Sequence, residues 1–193
     1  MNRFHHWFCR SAHWRKTIQQ RVPWALSTAD LGPKVLELGP GPGLATDVLR
    51  RWVEQLTAIE VDAGLAASLS SRLRGSNVQV VAGDATAMPF RDAQFSGVVF
   101  FTMLHHVPSA ELQDKLLRQV WRVLEPGGVF VGSDSLQSWV MRVIHIGDTL
   151  VPIDPDLVGT RLETAGFQVL EVEKNSIAFR FYAQRPAVPK TGV

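Results

Sequence analysis

The 193-residue chain has a single cysteine, Cys9. One thiol excludes an internal disulfide framework and a Cys-x-x-Cys zinc site, and a reducing, cytoplasmic setting is the expectation. No apolar run approaches the roughly eighteen residues that a bilayer span requires. The longest, Val98 to Leu104, already contains Thr102 and reads as a buried strand. There is also no acid before Asp30, where Arg3, Arg10, Arg15, Lys16 and Arg21 give +5, against +2 for the whole chain and therefore −3 for the remainder. A basic, acid-free stretch suggests a transit peptide, RNA or an anionic membrane surface. Its bulky aromatics and scarce serine speak against a transit peptide, and it carries no secretory apolar segment. Repeats and low-complexity stretches are lacking. What is there, 46% hydrophobic and 20% charged residues, suits one globular domain with a single sizeable core.

Phe4, Trp7, Phe8, Ser11, Trp14, Ile18 and Val22 recur at intervals of three and four. They predict one stripe of an amphipathic helix or helix pair over residues 1–30, ending near Pro23 and covering the mouth of the following domain. From Lys34 short apolar strands alternate with helix-patterned segments. Strands are expected at 34–38, 56–60, 77–82, 95–101, 128–133, 167–173 and 176–183, and helices at 43–54, 63–73, 109–123 and 154–165. Gly166 suits a helix C-cap, and Lys174-Asn175 a closing hairpin. This order implies an α/β, doubly wound, Rossmann-like domain over 31–185. Its seven-stranded sheet is mostly parallel with an antiparallel last strand, and helices lie on both faces. Residues 186–193 read as a loose tail.

The chain is organised around Val35-Leu36-Glu37-Leu38-Gly39-Pro40-Gly41-Pro42-Gly43, a strand that breaks into alternate glycines before a helix. Glycine lets the backbone turn sharply and approach a ligand that a Cβ would hold off. The prolines donate no hydrogen bond, so the amides on offer belong to the glycines and the residues after them. A dinucleotide fingerprint counted from Gly39 needs its third glycine at position 44, where Leu44 stands. Further on, Glu60 ends the second strand twenty-one residues after Gly39, where such sheets place an acid for ribose hydroxyls. Asp62 suits a helix cap. Asp84, in Val81-Ala82-Gly83-Asp84-Ala85-Thr86, follows the third strand.

The Glu-x-Gly-x-Gly-x-Gly loop resembles the first motif of the class I methyltransferases that use S-adenosylmethionine. The Gly83-Asp84-Ala85 segment, the exit from strand four (Phe101-Thr102-Met103-Leu104-His105-His106) and the turn Glu125-Pro126-Gly127-Gly128 resemble later pieces of the same family. In order and spacing they match the small bacterial group called methyltransferase type 11, from about residue 33 to 183. The resemblance implies S-adenosylmethionine as cofactor and S-adenosylhomocysteine as product. It implies that Glu37 orients the amino group, and that Gly39, Gly41 and Gly43 with Phe101 and Thr102 frame the methionine part. Glu60 and Val61 would meet the ribose and its surroundings, Asp84 the adenine amino group, and the amide of Ala85 a ring nitrogen.

His105, His106 and Asp134 are the candidate catalytic residues, with His145 a further one, since imidazole titrates near neutral pH. Adjacent histidines on a helix or strand cannot both face one site, so one of the pair is expected to act. An Asn/Asp-Pro-Pro-aromatic segment and a core cysteine are lacking, which disfavours adenine N-methylation and cytosine C5-methylation. Asp134 is the one acid at strand ends four and five, so no metal is expected. The acceptor is expected to be a small apolar or amphipathic molecule, held by residues 1–30 and 135–153, with Trp139, Met141, Val143 and Ile146 as apolar wall and Arg142 and His145 as polar handles. RNA methylation is an alternative that the basic amino terminus supports. A cofactor-binding module without turnover and a nicotinamide oxidoreductase are the others.

Overall fold

The structure is a computed structural model that describes residues 11–27 and 29–187. Phe4, Trp7, Phe8 and Cys9, and most of the tail, lie outside the described residues. The elements run α1 (Ala12–Leu26), β1 (Lys34–Leu38), α2 (Thr46–Leu49), β2 (Gln55–Glu60), α3 (Ala63–Arg72), β3 (Val78–Ala82), β4 (Phe95–Phe101), a 3-10 turn (Leu104–His106), α4 (Ala110–Val123), β5 (Leu124–Ser135), α5 (Trp139–Ile144), α6 (Val158–Thr164), β6 (Gln168–Lys174) and β7 (Ala178–Gln184).

The seven strands form one sheet in the order β3-β2-β1-β4-β5-β7-β6. β1 pairs in parallel with both β2 and β4, while β7 runs antiparallel to β5 and β6. Side chains alternate across the pleat. Leu36, Leu38, Val98, Phe100 and Phe130 therefore join Leu116, Val120 and Leu162 on one face. Val35, Val99, Phe101, Val129 and Val131 meet Ile18, Val22 and Ala25 of α1 on the other. Among the described residues no helix is long and apolar enough to cross a membrane.

Several expectations are corrected. α1 does not end near Pro23 but runs through it to Leu26. Losing one ladder bond costs roughly 3 kcal/mol, while burying Val22 and Leu26 returns about 1.5–3 kcal/mol each. Arg180 on β7 fastens the same end, donating to the Trp24 carbonyl at 3.0 Å and Ser27 Oγ at 2.8 Å while pairing with Glu171 and Glu173. The helix expected over 43–54 shrinks to Thr46–Leu49, because Gly43 holds φ +85° and no side chain caps the start. Instead of a turn before a short strand, Glu125 to Gly128 belong to a strand beginning at Leu124, with a register shift between Phe95 and Gly97 that absorbs the bend. Residues 154–157 form a turn ahead of α6, and Gly166, at φ +101°, closes that helix as expected.

Gly132 lies on β5 between Phe100 and Phe181, its register partners on β4 and β7. Those rings are 5.8 Å apart, centroid to centroid, and a Cβ at position 132 would collide with both. Gly132→Ala is expected to destabilise the fold by about 1–3 kcal/mol, read as a lower midpoint in chemical denaturation.

Candidate functional site

The strand order reverses between β1 and β4, and open parallel sheets bind ligands in the crevice beyond the carboxyl ends at such a point. A cavity of about 860 Å³ lies there. Its rim and walls bring together Glu37, Gly39, Gly41, Glu60, Val61, Asp84, Ala85, Phe101, Thr102, His105 and His106 of the expected residues. Gly43 does not line it. A Cβ there would run into Leu69 and Arg72, so this glycine serves the turn and the packing of α3. Asp134 does not line it either, sitting fully buried behind His105.

The glycine loop uses its own amides. Gly39 N–H donates to the Ile59 carbonyl and Gly43 N–H to the Pro40 carbonyl, both at 2.9 Å. Gly41 N–H donates to Glu60 Oε2 at 2.9 Å, and Asp62 N–H to Glu60 Oε1 at 3.0 Å. The expectation that these glycine amides face a ligand is corrected: the turn engages them, and the glycines act through space and φ. Gly39, Gly41 and Gly43 all have positive φ, and a Cβ on Gly41 would meet nothing within 4 Å. Asp62 caps α3 as expected, accepting from Gly64 and Leu65 at 2.9 Å.

Three acids occupy three successive strand ends. Glu37 is 1% exposed and accepts from Thr46 Oγ1 at 2.7 Å. Burial pushes its carboxyl from 4.5 up to about 8, the Thr46 hydroxyl opposing and the charges of Asp47 and Glu60 adding to the rise. Asp84 is exposed, and its Oδ1 accepts from Thr86 N–H at 2.7 Å. At the end of β4, Thr102 holds φ +54°, a conformation that costs a β-branched residue about 1–3 kcal/mol and is stored at functional sites. Its amide donates to the Ser133 carbonyl at 2.8 Å, which pins the turn to β5.

The other end of the cavity is built around His105. Its Nδ1 lies 2.6 Å from Asp134 Oδ1, and its amide donates to Asp134 Oδ2 at 3.2 Å. Burial alone would raise the Asp134 carboxyl, but the His105 imidazole and the amides of Ser135 and His105 together hold it below the usual carboxylate value. Gln113 of α4 donates to the Leu104 and Val151 carbonyls at 3.1 and 2.9 Å, bracing the turn from behind. Both histidines of the pair line the cavity, with ring centroids 4.2 Å apart. The expectation that only one could face the site assumes a regular helix or strand; here the pair sits in a three-residue 3-10 turn at the cavity wall, and both rings reach the cavity. His145, at the end of α5, joins them with ring centroids 5.1 Å from each. The expectation of no metal weighs carboxylate ligands alone and takes no account of this trio.

The apolar wall also differs from expectation. Met141 faces inward and is buried, but Trp139, Val143 and Ile146 are 76%, 49% and 71% exposed. Positions 139, 143 and 146 form one helical stripe and 141 and 145 another; the stripe turned inward carries Met141 and His145. Arg142 is exposed and does not line the cavity. Arg21 was legible only as charge, yet it is 6% exposed on the cavity wall and donates to Ser135 Oγ at 3.0 Å. Burial lowers its guanidinium below the ordinary arginine value while Asp134 opposes the change. Neither Gln113 nor Arg21 belongs to a motif; burial of a polar side chain is the signal that finds them.

A family profile described as a methyltransferase domain matches residues 36–132. The chain is 36% identical over 101 residues to a probable ribosomal RNA small subunit methyltransferase A of Methanosarcina barkeri, covering 51% of this chain and 34% of that protein. It is 32% identical over 121 residues to a demethylmenaquinone methyltransferase of Mycolicibacterium paratuberculosis, covering 62% and 46%. It thus spans between about a third and a half of the length of these curated relatives. Among solved structures, a chain of the complex between the Haloferax volcanii Trm112 methyltransferase activator and a methyltransferase superposes with TM-score 0.76 at 16% identity, over 96% of this chain and 99% of that one. That is a likeness of fold.

Glu37 links stability to pH. Unfolded, it loses its proton near 4.5; folded, it keeps the proton to about 8. Between those values the folded state binds more protons, so a rising pH removes stability. The contribution is whole below pH 4.5 and gone once pH has passed about 8. Denaturation of the ligand-free protein at a series of pH values is expected to show Glu37→Gln gaining on the natural chain by about 2–5 kcal/mol across that window.

Proposed function

The chain belongs to the class I S-adenosylmethionine-dependent methyltransferases, and from that premise we propose that it transfers the cofactor's methyl group to a small, largely apolar acceptor held in the same cavity. One observation carries the reading: three carboxyl groups at the ends of β1, β2 and β3 share a cavity with an apolar compartment ending at His105. The residues present fit the cofactor, since the loop at Gly41 leaves room where a side chain would stand and three acids match three polar regions of the molecule. When bound, the cofactor supplies a sulfonium that already activates its methyl group.

The chain's own residues then bind, orient and exclude water. Glu37 receives the ammonium group, ionising as it does so. Glu60 accepts from the ribose hydroxyls, Val61 covers the sugar's edge, and Asp84 with the Ala85 amide reads the adenine. Gly39, Gly41, Phe101 and Thr102 surround the methionine part. Ile18, Leu136 and Met141 make the acceptor's compartment apolar, which keeps water from a reaction that needs its partners about 3–3.5 Å apart and in line. Asp134 holds Nδ1 of His105, leaving Nε2 to take a proton from the acceptor. Arg21, a buried cation on the wall, suits an acceptor with a polar or anionic end.

A second reading, methylation of RNA, is favoured by the ribosomal RNA methyltransferase name of several relatives and by Arg15 and Lys16 on α1. RNA affinity that falls steeply with salt would support it. The apolar side chains of the cavity wall, Ile18, Leu136 and Met141 among them, weigh toward the small molecule. A reducing cytoplasmic setting goes with the single cysteine.

Incubating the protein with cell extract and methyl-labelled S-adenosylmethionine is expected to label a small molecule, identified by mass spectrometry. Label only in RNA would move the assignment to the second reading, and no label at all would sink both. Glu60→Ala is expected to weaken S-adenosylhomocysteine binding by about 1.5–3 kcal/mol, the range for hydrogen bonds to a charged group. Calorimetry reads this directly, and unchanged affinity would remove Glu60 from the ribose site.

A further inference from the structure

Three imidazoles converge at the acceptor end of the cavity. One ring nitrogen from each of His105, His106 and His145 lies within 4.8 Å of the other two. His105 and His145 are buried and His106 is half-buried, and all three line the cavity.

The tautomers of two of them are set by the groups behind. Nδ1 of His145 lies 2.6 Å from the Met141 carbonyl, which can only accept, so that nitrogen carries the proton. Nδ1 of His105 faces the Asp134 carboxylate at 2.6 Å and likewise carries one. In both rings the lone pair therefore sits on Nε2. This is the arrangement that orients metal-ligating histidines, whose other ring N–H donates to a carboxylate or a backbone carbonyl.

We propose that His105, His106 and His145 bind one divalent transition-metal ion of the zinc class, leaving a coordination position open toward the acceptor. The donor set selects the ion. Three imidazoles suit zinc and its neighbours, whereas magnesium and calcium require oxygen ligands. Zinc at about 2.0–2.1 Å from each nitrogen needs those nitrogens about 3.3 Å apart, so the rings close by roughly 1.5 Å or less from the observed spread. Three protein ligands with an open fourth position are the catalytic rather than the structural form of zinc site.

The acceptor class follows. A hydroxyl or thiol on the ion loses its proton to solvent, because the metal stabilises the anion. The anion's lone pair then forms the bond to the methyl carbon as the carbon–sulfur bond breaks, and that electron pair stays on sulfur, leaving a neutral thioether. While the ion is bound, Nε2 of His105 is a ligand and the metal takes over the work of a base. The proposal stands on the histidine geometry and goes beyond methyl transfer itself. Metal binding and methyl transfer are measured separately, so either can fail alone.

The test titrates the full chain, free of any purification tag and stripped with chelator, with zinc alone by calorimetry. Cobalt absorption serves as an independent report of a four-coordinate nitrogen site. One equivalent of zinc is expected to bind, and His145→Gln and His106→Gln are each expected to weaken it at least tenfold. Circular dichroism and thermal melting establish that each variant is folded. Should His145→Gln unfold, the half-buried His106→Gln decides. Failure to bind zinc would overturn the proposal, as would binding that survives substitution, which would put the ion on His5, His6, His13 or Cys9.

Discussion

The parallel pairing of β1 with both neighbours is the constraint from which the site follows. Because β1, β2, β3, β4 and β5 run the same way, their carboxyl ends open on one edge of the sheet. Because the order turns back between β1 and β4, the helices leave that edge on opposite faces and a crevice stays between them. A residue one step past a strand end is then a cavity residue. Glu60, Asp84, Thr102 and Ser135 sit at the ends of four different strands and face one space for this reason.

The two ends of that space are held by different physics. At the glycine end, backbone does the holding. The Glu60 carboxylate ties the loop to β2 through the Gly41 amide while the Asp62 amide holds its other oxygen, and the positive φ values let the chain reverse without filling the room it encloses. At the histidine end, a buried charge does it. Asp134 is fully enclosed, and an ionised carboxylate in that position requires partners. It takes the ring and amide of His105 and the amide of Ser135, so the 3-10 turn after β4 is clamped to the end of β5. Gln113 clamps the same turn from α4.

Much of the fold was legible because βα repetition writes itself as alternating short apolar runs and helical spacing. β4 matched its expected span, and the antiparallel β7 and the Gly166 cap followed from a hairpin and a glycine. The acids at three strand ends were legible for the same reason. What was not legible depends on burial. Pro23 breaks a helix only where packing does not outweigh it. Gly43 looks like its two companions in sequence but packs against α3. The segment 135–153 shows an apolar stripe at Trp139, Val143 and Ile146 without showing which way that stripe turns, and it turns toward solvent.

The sequence by itself determined the family, the strand order's regular part and the position of Glu37, Glu60 and Asp84, because these are local periodicities read along one strand or one loop. Only the tertiary structure decided which polar groups lose their water. It pushed the Glu37 carboxyl to about 8, stood Arg21 on the cavity wall, and joined His145 to His105 and His106 across forty residues of chain. No spacing rule connects those three histidines. Their meeting is a product of packing, which sets the end of α5 against the 3-10 turn after β4, and contacts of that kind leave no trace in the spacing of residues along the chain.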